Sequence, residues 1–410
     1  MSNPTALISK LLRILESNNY LKKIELTLNF PDEPPIFRYR ASVGENEEIY
    51  TGGASFLSKE NALLKCLGES VERLSSNFYI QRNLILGNYI NLKKKFNILD
   101  PCLYLTDKSS RQKVFGWYWG VDFLTEKQCL IPAQLLFFSK YIRINEPELT
   151  HRVSTGSAGW TDLQTALLKS LYEIIERDAF MTNYLNKIPS PMIDLKTLRI
   201  PEVDLAYKKA TRYNLDLCLF DITNDLQIPS YMSVLIDRTG IGPAVVIGLK
   251  ACLNKKEAIT GCMEEAFYLR PWLRAQTANY KARKKGTKEI KTVKDRALYW
   301  MGLEKIKELN FLMNQKPQKI KFSETNLSSK KQLAYIKKSL QYGGFEAFYS
   351  DITLTGLEMD YFITRAVIPK LQPLYFYEKK PQLRIERIKK VSKFFGQKKV
   401  SLNKIPHPML

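Results

Sequence analysis

Residues 62–73 and 166–177 share one pattern, ALLKxLxExxER, and a fainter third copy starts at Ala258. Residues i, i+3, i+4 and i+7 share a face of an α-helix. The first copy therefore lines up Ala62, Glu69, Glu72 and Arg73, and the second Ala166, Glu173, Glu176 and Arg177. The third places Glu265 at the same offset from its alanine and is followed by Arg270. A single ExxER is no more than a solvated i,i+4 ion pair, worth about 0.2–0.5 kcal/mol. Recurrence with the same alanine and the same apolar positions points instead to a paired site. Two such helices side by side gather four carboxylates. These repel one another unless cations lie between them, and carboxylate oxygens are the ligands Mg²⁺ prefers.

The organisation around the pattern repeats as well: β segments, a glycine-containing turn, then the acidic helix. Gly53, Gly156 with Gly159, and Gly248 precede the three copies. Turns of small residues expose backbone N–H groups suited to a phosphate, although glycines also simply end strands. Periodicity predicts helices over 4–25, 58–79, 161–184 and 255–275. Strand character runs through 34–57, 114–139, 215–250, 345–353 and 361–374. The Lys-rich stretch 281–342 reads as helical. Pro406 and Pro408 make the end of the 378–410 tail extended.

Composition narrows the chemistry. The chain has 410 residues, enough for two or three packed units or one large intertwined domain. It holds only two histidines, His151 and His407, which excludes a His-rich metal centre and argues against a Ser-His-Asp triad. Its six cysteines form no CxxC and sit mostly in apolar stretches, as reduced core thiols do. No apolar run has the length of a membrane span, and Met1–Glu16 lacks a signal-peptide core, so a cytoplasmic protein with no membrane partner is expected. The net charge of +22 is concentrated at 281–294, 315–338 and 379–404. With no recognition motif and no interleaved aromatics, it reads as solvated surface or as a basic groove for an acidic peptide or phosphates, and no nucleic-acid partner is expected. GxxxxGK[ST] and GxGxxG are both missing, so a nucleotide would be held by carboxylate-bound Mg²⁺ and scattered basic residues.

These residues together resemble the YcaO family. Gly68-Glu69-Ser70-Val71-Glu72-Arg73 is similar to its first nucleotide-site motif. Ser154–Gly159 with Tyr172–Phe180 is similar to its central one. Asp221-Ile222-Thr223 with Ile228-Pro229, Ala258–Arg270 and Thr364–Pro369 with Leu371-Gln372-Pro373 follow in the family's order. The chain departs from it at Tyr268, at Lys370 and at Gly52-Gly53-Ala54-Ser55.

The resemblance implies an α+β fold in which β-sheets and repeated acidic-face helices enclose a nucleotide site. It divides the chain into an extension (1–50), a catalytic domain (51–375) with a Lys-rich helical insertion at about 276–342, and a basic tail (376–410) ending in Pro-x-Pro. It implies ATP and Mg²⁺ as cofactors, with Glu69, Glu72, Glu173 and Glu176 on the metal. Arg73, Arg177, Glu265 and Arg270 would lie at the nucleotide, and Ser154, Ser157 and Lys250 at the turns.

The activity implied is cyclodehydration. A Cys, Ser or Thr side chain of a ribosomally made precursor peptide adds to the preceding carbonyl, ATP phosphorylates that oxygen, and phosphate leaves, giving an azoline. Pro406, His407 and Pro408 match two of the three prolines of the tail through which azoline-forming members reach the active site. Trimming Pro406–Leu410 is then expected to remove activity and leave the fold. The alternatives are a thioamide synthetase working with a TfuA partner and a non-catalytic peptide-binding scaffold. A homodimer and an E1-like or other leader-peptide-binding partner are further implications.

Overall fold

A computed structural model describes residues 4–44, 47–77, 84–105, 107–138, 146–151, 153–277, 280, 290–320, 326–354, 361–398 and 400–410. In chain order, α1 (Pro4–Ser17), β1 (Leu21–Leu26), β2 (Phe37–Val43), β3 (Ile49–Ser55) and α2 (Lys59–Asn77) come first. Next are β4 (Ile85–Asn88), β5 (Val114–Asp122), β6 (Gln128–Pro132), β7 (Ser157–Trp160) and α3 (Leu163–Leu185). Then follow α4 (Pro201–Arg212), β8 (Leu215–Asp221), β9 (Ser230–Asp237), β10 (Val245–Ala251) and α5 (Lys255–Ala275). The last are α6 (Val293–Tyr299), α7 (Ser329–Gly343), β11 (Phe348–Asp351), β12 (Phe362–Val367) and α8 (Ile385–Phe394).

The strands form three antiparallel sheets, each of which receives one of the three acidic helices. α2 lies on β1-β2-β3, and α5 on β10-β9-β8. α3 lies on the β12-β7 end of β4-β5-β11-β12-β7, a sheet in which β6 also pairs with β5. Helix and strand approach closely at two of these joints. A Cβ on Gly53 would come within 2.3 Å of the Cys66 nitrogen, and one on Gly248 within 2.1 Å of the Cys262 oxygen. No side chain fits there, so glycine at these strand positions is a packing requirement.

The sequence sets the helix limits. Asp162 caps α3 by accepting the Thr165 N–H at 2.8 Å, and Asn254 caps α5 through Glu257. α7 ends on Gly344, whose φ of +72° is left-handed. The apolar face of α3 is wholly enclosed: Ala166, Leu171, Ile175 and Ala179 are each 0% exposed. A buried Leu or Ile side chain contributes about 1.5–3 kcal/mol, so this face anchors the helix between sheets. Arg387 of α8 secures its far end, meeting Asp178 and Asp225 at 2.7 Å each.

The structure corrects one expectation. The helix expected over 4–25 stops at Ser17, because Asn19 turns the chain with φ of +55° into β1. Ahead of the tail's end, which holds no helix over 400–410, Ile385, Ile388 and Val391 form an amphipathic helix, α8, whose Ile388 and Val391 are 0% exposed. The boundary drawn after residue 50 falls inside β3. In the Lys-rich stretch, 281–289 and 321–325 lie outside the described residues, while α6 and α7 are helical. Among the described residues no helix is long and apolar enough to cross a membrane.

Candidate active site

The glutamate seven residues after each alanine ties its helix back to its own sheet. Glu69 accepts the Gly52 N–H at 2.8 Å, Glu173 the Gly156 N–H at 3.1 Å, and Glu265 the Leu249 N–H at 2.5 Å. Glu176 accepts the Ala251 N–H at 3.1 Å, joining α3 to β10. Each carboxylate thereby commits one oxygen to backbone and turns the other toward the space between the helices.

Arginines run through that space. Arg73 meets Glu69 at 3.0 Å and Glu72 at 3.8 Å. Arg177 meets Glu176 at 2.9 Å, Glu173 at 3.7 Å and Glu265 at 3.8 Å. Even so, the carboxylates outnumber their cations. Burial, then repulsion from Glu173 and Glu69, outweighs Arg73 and pushes the Glu72 carboxyl up to about 8. Burial also raises Glu173, with Glu176 adding to the effect against Arg177. Glu265 rises to about 7, again through burial, with Glu176 adding to it. Burial works against the charge on Arg177, but Glu176, Glu265 and Glu173 overcome it and raise its pKa. Glu72 on α2 thus feels the charge of Glu173 on α3, and Arg73 and Arg365 bear on both. Among the described residues no group of three or more His, Cys, Asp or Glu side chains closes into a metal cage. The four carboxylates stand as two pairs, Glu69/Glu72 and Glu173/Glu176, rather than as one tight cluster. Mg²⁺ keeps several waters and needs only one or two carboxylates plus phosphate oxygens, so these hard oxygen donors fit that ion.

Ser154 and Ser157 lie on the turn that presents Gly156. The Ser154 carbonyl accepts from Arg365 at 2.6 Å, and Ser157 shares a hydrogen bond with Ser76 at 3.3 Å. Arg365 also donates to the Val153 and Leu135 carbonyls and faces the Phe138 ring at 5.1 Å, so it sets the loop from which Gly156 reaches Glu173. Burial brings Arg365 down to about 10, against the pull of Glu173 and Glu72. Lys250 extends from β10 beside Glu176, Glu257 and Glu265. Burial works against its charge, but these carboxylates outweigh it and raise its pKa.

Arg270 is not brought to this set. It is 2% exposed and is consumed by Glu33 at 2.6 Å, Asp237 at 2.7 Å and the Pro243 carbonyl at 3.1 Å. It follows Glu265 by five residues, where Arg73 and Arg177 follow their glutamates by four. One extra residue turns it about 100° around the helix, off the acidic stripe and into the core.

The tail is part of the core. The Pro406 carbonyl accepts from Tyr184 at 3.1 Å and Trp300 at 3.0 Å, and the His407 carbonyl from Arg296 at 2.9 Å. The His407 Nε2 lies 2.7 Å from the Tyr375 carbonyl. Burial, then Arg296, holds its pKa well below the ordinary 6.5, so the ring is neutral and Nε2–H donates. Met409, rather than His407, touches the acidic site: an Arg177 nitrogen lies 3.6 Å from its sulfur. Met409 and the repeated lysines Lys65 and Lys169 went unassigned in the sequence, although the K of ALLK recurs as faithfully as the glutamates do.

Three comparisons bear on this arrangement. A family model described as YcaO cyclodehydratase, ATP- and Mg²⁺-binding, matches residues 55–372. A curated relative, an uncharacterized protein in the tfuA 3′ region of Rhizobium leguminosarum bv. trifolii, is 27% identical over 123 residues, which is 29% of each chain. Among solved structures, a heterocyclase in complex with substrate and cofactor superposes with a TM-score of 0.78 at 16% identity, covering 100% of this chain and 57% of that one. The YcaO of Methanopyrus kandleri, bound with AMPPCP and Mg²⁺, superposes with a TM-score of 0.69 at 15% identity, covering 92% and 94%. The chain thus spans 29% of the curated relative and 57% of the heterocyclase.

Proposed function

This chain belongs to the YcaO family, an ATP- and Mg²⁺-binding one, and from that premise we propose that it is a peptide cyclodehydratase acting on a ribosomally made precursor. The observation that carries the reading is the set of buried and half-buried carboxylates Glu69 and Glu72 on α2 and Glu173 and Glu176 on α3, threaded by Arg73 and Arg177, on helices fixed to separate sheets. Glu69, Glu72, Glu173 and Glu176 would hold Mg²⁺. When bound, the ion neutralises phosphate oxygens and spreads the charge that develops in phosphoryl transfer.

The protein's own groups do the rest. The Gly156 and Gly52 N–H bonds fix the rotamers of Glu173 and Glu69. Arg177, braced by three carboxylates and capped by Met409, presents a guanidinium on the phosphate side. Arg365 holds the turn at Ser154. The reaction itself needs no protein nucleophile. The substrate's thiol or hydroxyl adds to the preceding carbonyl carbon and releases its proton. The resulting oxyanion takes the terminal phosphoryl group of ATP, releasing ADP, and the C–O bond then breaks with phosphate as leaving group while the former amide nitrogen gives up its proton and forms the C=N bond. Two histidines, neither on the acidic stripe, are no obstacle to this chemistry.

The docked tail favours azoline formation, because Met409, next to Pro408, reaches Arg177. A second reading, thioamide formation from an external sulfide with a TfuA partner, draws on the relative from the tfuA 3′ region. We assign leader-peptide recognition to a separate partner protein in either case, and the working unit to a homodimer. The test is the intact mass of a precursor peptide encoded beside the gene after incubation with the protein, its partner, ATP and Mg²⁺. Loss of one water per modified residue supports the azoline reading. Exchange of oxygen for sulfur, seen only with added sulfide, supports the thioamide one.

A further inference from the structure

A cavity of about 80 Å³ opens beside Arg177 and is also lined by Tyr104, Arg365 and Arg384. That volume holds more than one water, and so a group the size of a carboxylate. Leu135, Ile174 and Val367 supply apolar wall. Arg384 immediately precedes α8, and two hydrogen bonds fix its backbone relative to α3. Its N–H donates to the Gln372 side chain at 2.7 Å, and the Gln372 N–H donates to Asp178 at 2.8 Å. Its guanidinium faces the Tyr104 ring at 5.1 Å. Arg365 acts on the Tyr104 phenol as well, so this ring lies within reach of both charges.

The three arginines are not equally matched. Arg365 gives its nitrogens to the Leu135, Ser154 and Val153 carbonyls, and Glu173 and Glu72 act on its charge. The terminal nitrogens of Arg177 meet Glu173, Glu176 and Glu265. Arg384 forms no ion pair among the described residues. Burial lowers its pKa, and only Tyr104 acts against that. The Nε atoms of Arg177 and Arg384 are both buried and have no hydrogen-bond acceptor. A buried donor without an acceptor is costly, the more so on a charged group.

We propose that this cavity is a side-chain subsite for the peptide substrate, taking the carboxylate of an Asp or Glu close to the residue being modified, with Arg384 as its counter-ion. The inference rests on the peptide-substrate reading above and adds to it a preference in the substrate's sequence. One unmatched positive charge suits a singly charged carboxylate rather than a phosphate dianion, and the aliphatic wall suits the methylenes that carry it. Arg177 lines the cavity and also belongs to the acidic site, so a carboxylate held here lies within a few residues of the reacting carbonyl.

The test compares two peptides in ATP-consumption assays with the full chain, its partner, ATP and Mg²⁺. One is the precursor encoded beside the gene. The other is the same peptide with the Asp and Glu residues flanking its modified positions replaced by Asn and Gln. For the wild type, the neutral peptide is expected to show a KM raised about tenfold or more, the scale of a lost charge-assisted contact, with kcat unchanged. Arg384→Gln should show that rise with the acidic peptide and no further rise with the neutral one. Arg384→Lys should keep most of the preference, and thermal unfolding of both variants will show that they are folded. The wild-type comparison stands without either variant. Equal KM values for the two peptides, an Arg384→Gln penalty of the same size on both, or a precursor with no Asp or Glu beside its modified residues would overturn the subsite and leave the peptide reading standing. So would competition by inorganic phosphate that Arg384→Gln removes while both peptides are handled alike. ATP bound but not consumed with either peptide would overturn both readings.

Discussion

Glu173 accepts the backbone N–H of Gly156 at 3.1 Å, seventeen residues upstream, so a proposed metal-side carboxylate also fastens helix to sheet. Glu69 and Gly52 repeat the arrangement at 2.8 Å. The two roles separate by substitution. Glu173→Gln keeps an oxygen for Gly156 and removes only the charge. Turnover of ATP with peptide is expected to fall about 100-fold or more, the scale of one lost electrostatic contact in phosphoryl transfer, with unfolding temperature unchanged or raised. Glu173→Ala should lose activity and stability together.

Arg387 and Asp178 are 3% and 0% exposed, and Asp178 also accepts the Gln372 N–H at 2.8 Å. Arg387→Ala strands a buried carboxylate between α3 and α8. Denaturant unfolding should show a loss of about 3–5 kcal/mol.

His407 gives the tail a pH dependence. Its pKa in the fold lies well below the ordinary 6.5 because of burial and Arg296. A depressed histidine contributes stability that is present above the unfolded pKa and lost as pH falls below it, because only the unfolded chain takes up the proton. Below pH 6.5, stability should fall by up to about 1.4 kcal/mol per pH unit from this residue. Unfolding midpoints of wild type and His407→Gln compared at pH 7.5 and pH 5, two arbitrary points roughly spanning that range, check the claim. The variant should lose that part of the slope.

Trimming Pro406–Leu410 is not the clean test it seemed from sequence. It would remove the acceptor of Tyr184 and Trp300, one acceptor of the fully buried Arg296, and the Met409 side chain, which is 1% exposed. Truncation should therefore destabilise the fold as well as abolish activity. Met409→Ala is the narrower probe. It should cost about 2–5 kcal/mol of stability and lower turnover by loosening Arg177, as unfolding and ATP-consumption assays will read.

The acidic helices were legible because three constraints met in one pattern: an alanine for close packing, apolar positions for the core and glutamates for the site. α5 was placed at 255–275, the limits the structure has. Arg270 misled because residue type was read without phase, and one residue of offset separates a site arginine from a core arginine. α8 was missed because its lysines masked Ile385, Ile388 and Val391 at helical spacing. The packing of the Lys250 stem on Gly261 joins a strand to a helix of another position in the chain, and no local pattern encodes that.

The central claim is that the backbone amide oxygen of a peptide leaves as phosphate. A precursor peptide carrying heavy oxygen at the carbonyls before its Cys, Ser and Thr residues, incubated with this protein, its partner, ATP and Mg²⁺, tests it most directly. The account predicts one heavy oxygen in inorganic phosphate for each residue modified. Phosphate released without label, with the heavy oxygen retained in the peptide, would contradict it.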